Sequence, residues 1–123
     1  MKTKGLIIAS LIMLILISRC KKQTPDNIQC DTTGWIADSI RYSNTVAPIL
    51  SQHCTSCHNN STQQGNVNLS GYSNVKKYAD NKKLLGTMAH LHGYKEMPQN
   101  GTKLDQDKIC KVKFWIDNGA LNN

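Results

Sequence analysis

The pentapeptide Cys54-Thr55-Ser56-Cys57-His58 constrains this chain more than any other stretch. Two thiols three positions apart, followed directly by an imidazole, make Cys-x-x-Cys-His, the sequence to which c-type haem is attached. Each thiol can add to one of the porphyrin's two vinyl groups. The His that follows can turn under the ring and offer a nitrogen to the iron. With 5 Cys and 4 His in 123 residues, chance would produce such a pentapeptide about 0.006 times per chain.

A Cys-x-x-Cys pair also serves as half of a zinc site, as a redox dithiol or as a structural disulfide. A structural zinc site wants a second ligand pair at short spacing. Cys30 and Cys110 are single and far apart, and His90 and His92 make only a weak pair. A thioredoxin-like dithiol wants a strand before it and a βαβ pattern around it. The segment before Cys54 reads as helix. One covalently attached haem c is therefore the expected cofactor, with Cys54, Cys57 and His58 binding it and His58 as an iron ligand.

Composition agrees. The length suggests one domain. With one Phe, two Trp and four Tyr, the mature chain would bury a thin core, which a porphyrin would enlarge. Formal net charge is +7. Without the leader described next, twelve Lys and Arg stand against eight Asp and Glu, a net of +4. The basic residues are scattered, with short pairs such as Lys76-Lys77 and Lys82-Lys83. No Arg-rich run with interleaved aromatics is present, so nucleic acid is not an expected partner. The lysine pairs read as solvated helix faces before they read as a docking patch.

Residues 1–19 have the layout of a signal peptide. Lys2 and Lys4 precede an apolar run from Leu6 to Ile17, interrupted only by Ser10. A run of 12 residues is short of the roughly 20 needed to span a bilayer. The run ends at Ile17-Ser18-Arg19-Cys20, which resembles a bacterial lipobox with Cys20 as the lipidated residue. Arg19 departs from that pattern, which normally has a small residue there. A lipidated Cys20 would anchor the chain stably to a membrane. The expected location is thus the periplasmic face of a bacterial membrane, the outer membrane favoured. Residues 20–29 read as a lipid-anchored tether and residues 30–123 as the haem domain.

Ser43 or Asn44 is the expected cap of a first helix, in which Val46, Ile49, Leu50 and His53 share one face. Pro48 falls early enough to be tolerated. Residues 34–42 read as loop or short helix. Residues 59–72 read as a long loop with a scrap of strand at Val67 and Leu69. A short helix is expected over 74–80. Another is expected over 82–92, carrying a stripe of Leu84, Leu85, Met88 and Leu91, weakened by Gly86 and ended by Gly93. After a loop around Met97-Pro98, Asp105 or Asp107 opens the last helix. Its apolar face is Ile109, Val112, Trp115 and Ile116, and Gly119 is its expected terminator.

This order resembles class I cytochromes c, and more narrowly the small single-haem cytochrome c-like lipoproteins of the Bacteroidetes. The resemblance spans residues 42–123. It rests on the haem motif and on Val46-Ala47-Pro48-Ile49-Leu50, Asn68 to Tyr72, Lys83 to Gly86 and Trp115 to Ala120. It implies an all-α cytochrome c-like fold wrapped around one covalent haem. The first and last helices would cross, with Val46, Ile49 and Leu50 against Val112, Trp115 and Ile116.

A closed electron-transfer site needs a second iron ligand opposite His58. The candidates are Met88, Met97, His90 and His92. Met88 belongs to the apolar stripe and reads as core. Met97 fits no helical face, and Pro98 limits its loop. The family's Met-Pro loop matches here, so Met97 is the favoured ligand. His90 and His92 read as surface residues or propionate partners, and His53 as helix surface. Thioether ligation favours ferrous iron.

Cys30 and Cys110 remain. In an oxidising compartment they either pair or stay as two thiols, with Cys110 beside Phe114; pairing is the favoured reading. The expected function is one-electron transfer by a monomeric, membrane-tethered cytochrome between redox protein partners, not catalysis. Alternatives are a haem peroxidase with His90 or His92 recruited, a gas or redox sensor, and a haem-free metal-binding lipoprotein.

Overall fold

The computed structural model describes residues 22–99 and 101–123. The leader and Cys20 lie outside the described residues. The protein is all-α, and no strand occurs among the described residues. Short 3-10 turns at Pro25–Asn27 and Ala37–Ser39 lead to a π turn, Tyr42–Val46, continuous with helix α1 (Ala47–His53). After a 3-10 turn at Gln64–Asn66 come α2 (Tyr72–Asp80), α3 (Lys83–Met88) and α4 (Gln106–Asp117). No helix among the described residues is long and apolar enough to cross a membrane.

The first helical segment starts earlier than Ser43 or Asn44. The amides of Thr45 and Val46 both reach the Arg41 carbonyl, at 3.1 and 3.2 Å. The amides of Tyr42 and Ser43 are start-of-helix donors without intrahelical partners. They donate to the Asn123 side-chain oxygen at 2.9 Å and to its main-chain oxygen at 3.0 Å. The cap therefore comes from 81 positions away, which no local motif could reveal.

α4 matches its sequence signals. Asp105 precedes it, and Ile109, Val112 and Trp115 are buried. Gly119 takes φ +93°. Its amide donates to Ile116 and that of Ala120 to Trp115, at 3.0 and 2.9 Å. This is the paired bonding of a glycine-terminated helix. Lys111–Asp107 and Lys113–Asp117 pairs lie along α4 one turn apart.

The expected helix over 82–92 is shorter, ending at Met88, with His90 at φ +53°. All four stripe residues are nonetheless buried. Gly86 does more than weaken the helix. A Cβ there would sit 2.3–2.5 Å from three carbons of the Tyr94 ring, so only glycine lets that ring lie on α3. Val67 and Leu69 form no strand, but Leu69 is buried.

The Tyr42–Val46 turn carries the contact between the first helical segment and α4. The Tyr42 ring lies 5.7 Å from Trp115 and 5.2 Å, edge-on, from Tyr72. Burial raises the Tyr42 phenol above its ordinary pKa. Val46, Ile49, Leu50, Val112 and Trp115 share one core, with Ile116 at its edge. The folded unit begins before Cys30: Pro25 and Ile28 are buried. Asp26 pairs with Lys82 at 2.6 Å, and Gln106 donates to the Gln29 carbonyl at 3.0 Å.

Cys30 and Cys110 form a disulfide with Cα atoms 5.5 Å apart, joining positions separated by 80 residues. A loop of that length makes reduction costly, about 2–4 kcal/mol. Urea titration of the intact and reduced, alkylated protein should show a loss of that size; coincident curves would refute it. Gly86→Ala should cost about 1–3 kcal/mol through overpacking. Adding Tyr94→Ala should remove most of the clash, so the double variant is more stable than the sum of the two losses predicts.

Candidate functional site

The Cys54–His58 turn continues α1 by its own hydrogen bonds. The Leu50 carbonyl accepts from the Cys54 and Thr55 amides at 2.8 and 3.0 Å. The Cys54 carbonyl then accepts from Cys57 and His58 at 3.2 and 3.0 Å. The Asn59 side chain donates to the carbonyls of Thr55 at 2.8 Å and Ser56 at 3.3 Å. The carbonyls of Cys57 and His58 accept from Gln64 at 3.0 Å and Leu69 at 2.8 Å. Every carbonyl of the pentapeptide is thus engaged. Among its side chains, the Thr55 hydroxyl donates to the Ser51 carbonyl at 3.2 Å and the Ser56 hydroxyl to Cys57 Sγ at 3.9 Å.

Asn59 is a site residue that the sequence reading missed. Its side-chain oxygen also accepts from the amides of Ser61 and Thr62, at 2.8 and 2.9 Å. The available signal was an Asn opening the turn-forming run Asn60-Ser61-Thr62.

Cys54 and Cys57 are half-buried and unpaired, so the pair is not a disulfide here. Burial pushes the Cys54 thiol up to about 11, keeping it protonated at neutral pH. His58 is half-buried. Its Nδ1 is buried with no hydrogen-bond partner. His53, expected on the helix surface, is half-buried, and its Nε2 is likewise buried without a partner. Asp105 is held below its usual pKa mainly by Lys108, with a smaller pull from His53.

Cys30 and Cys110 are consumed by each other. Among the described residues, no group of three or more His, Cys, Asp or Glu is gathered as a metal site.

Met88 is buried in the core, as its stripe position implies. Met97 is half-buried in the loop after α3. Its amide donates to the Thr87 carbonyl at 3.2 Å, and its carbonyl meets His90 Nε2 at 3.0 Å. His90 is therefore not free on the surface, whereas His92 is exposed. Among the described residues no hydrogen bond joins the Met97 loop to the Cys54–His58 turn. A depression of about 290 Å³ lies elsewhere, over the disulfide, lined by Ile28, Cys30, Cys110 and Phe114 among others. It shares no residue with the turn, so its size says nothing about the chemistry there.

Cys54, Cys57 and His58 carry the donor types that haem c attachment needs, two thiols outside any disulfide and an imidazole whose buried Nδ1 has no partner, and Met97 carries a thioether on a separate loop. In the haem-free protein Cys54 should alkylate slowly, because only about a thousandth of such a thiol is thiolate at pH 8. Its iodoacetamide rate should keep rising about tenfold per pH unit between pH 8 and 10. A plateau near pH 9, read by peptide mass spectrometry, would contradict that burial.

No protein-family model, no curated protein and no solved structure matches this chain.

Proposed function

We propose that this protein is a membrane-tethered monohaem c-type cytochrome that passes single electrons between redox partner proteins. The observation carrying the reading is the Cys54–His58 turn. Its carbonyls are all hydrogen-bonded, while neither thiol is in a disulfide and the buried His58 Nδ1 has no partner. Bound there, a haem would supply iron that cycles between ferric and ferrous states. Cys54 and Cys57 would hold it as thioethers, each S–H adding across a vinyl C=C with no oxidant consumed. His58 would give the iron a nitrogen, and Met97 would give it a sulfur.

A cytochrome c-like wrapping of that group by the helices is part of the proposal. It is supported by the shared core of Val46, Ile49, Leu50, Val112 and Trp115. The Cys30–Cys110 disulfide suits an exported protein, since such bonds persist in oxidising compartments. That agrees with the signal-peptide layout and with lipid attachment at Cys20. A peroxidase would need a distal acid–base group; of its two candidates, His90 meets the Met97 carbonyl and His92 is exposed. A closed site suits electron transfer better, because a sulfur ligand occupies the position where peroxide or oxygen would bind.

Absorption spectra of the exported protein, wild type and Met97→Ala, test this. The reduced forms should show a c-type α band. The oxidised wild type should show a weak near-infrared sulfur-to-iron band that Met97→Ala abolishes. A haem spectrum untouched by Met97→Ala refutes Met97 ligation, and a negative pyridine haemochrome assay refutes the haem reading.

A further inference from the structure

Both backbone polar groups of Met97 are held from the end of α3. Its amide shares the Thr87 carbonyl with the His90 amide, at 3.2 and 3.3 Å. Its carbonyl faces His90 Nε2 at 3.0 Å. A carbonyl can only accept, so Nε2 must carry the proton in this contact. The other ring nitrogen, Nδ1, lies 3.7 Å from Glu96 Oε2. The His90 side chain is only 16 % exposed, against 71 % for Glu96. His90 takes φ +53°, a conformation that is uncommon for residues with a side chain. There α3 has already stopped, and the ring is turned back onto the loop.

We infer that His90 is a positioning residue that clasps the Met97 loop and so sets how firmly Met97 stays on the iron. The inference rests on the reading of Met97 as sixth ligand. With the clasp in place, the Met97 peptide is bonded on both sides and the side chain swings from a fixed Cα. Without it, only the amide bond to Thr87 remains, and the loop opens more often. An added ligand competes for the iron only while Met97 is off. Its apparent affinity therefore scales with the open fraction.

The test uses the full chain with haem attached, as wild type, His90→Ala, His90→Gln and Met97→Ala. Imidazole titration of the ferric protein reads the open fraction. Hydrogen exchange of the Met97 amide reads the loop directly, whatever the haem content of the sample. Loss of one such hydrogen bond should make imidazole bind roughly tenfold tighter in His90→Ala, with the Met97 amide exchanging roughly tenfold faster. His90→Gln keeps an N–H donor of similar reach and should stay within about threefold of wild type. Far-UV circular dichroism confirms that each variant keeps its helices. If His90→Ala matches wild type while Met97→Ala binds imidazole far more tightly, the clasp is wrong and the ligand reading stands. If His90→Gln is as impaired as His90→Ala, the hydrogen bond is not the device and the inference falls. If Met97→Ala leaves imidazole affinity unchanged, ligand and clasp fall together.

Discussion

Two backbone amides at the start of the first helical segment, those of Tyr42 and Ser43, donate to Asn123, and the rest of the architecture depends on that junction. A helix start leaves donors that must find acceptors or water. Here the acceptors lie beyond the end of α4, so starting one helix and ending another become a single event. Two further bonds strengthen it: Trp115 Nε1 donates to the Leu121 carbonyl and the Tyr72 hydroxyl to the Ala120 carbonyl, both at 2.8 Å. The Gly119 terminator makes this reachable, because the left-handed turn folds residues 120–123 back across the aromatic cluster. α1 leaves from there, and its last turn delivers Cys54.

The core is mostly aliphatic, with Trp115 the one buried aromatic side chain among the described residues. The disulfide and the Asn123 junction act as staples in different places. One joins the segment before α1 to the middle of α4; the other joins the start of the first helical segment to the residues after α4. Between them α4 is held at Cys110 and beyond its C-terminal end, and α3 packs on it and on α2. The Met97 loop inherits its position from α3 through Thr87 and His90.

The parts readable in the sequence are those encoded by neighbours in the chain. The α4 face, Gly119 and the Leu84, Leu85, Met88 and Leu91 stripe follow from periodicity and turn chemistry. The spacing of Cys54, Cys57 and His58 announces chemistry directly. What was not readable depends on long-range bonds. Asn123 caps a segment 81 positions earlier, and Ile28 enters the core from a stretch that reads as tether. The helix over 82–92 stops at Met88, and beyond it His90 meets the Met97 carbonyl, a contact periodicity cannot express. Gly86 reads as a weakness until the Tyr94 ring is placed against it.

The same contrast between backbone and side chain runs through the site. In the Cys54–His58 turn every main-chain carbonyl is hydrogen-bonded, yet His58 Nδ1 is buried without a partner, an arrangement that costs about 1–3 kcal/mol when nothing compensates. Met97 repeats the pattern, with both backbone groups bonded and a thioether that needs no hydrogen bond. A metal-ligating histidine ordinarily donates its other ring N–H to an acceptor, so on the electron-transfer reading it is the bonded main chain, not the unpartnered Nδ1, that would hold the donors in place. Donors held this way would move little when an iron between them changed charge, and small movement is what fast electron exchange asks of a protein. On the electron-transfer reading, the bonds around Asn59, Leu69, Thr87 and His90 are therefore functional parts as much as the ligands they hold.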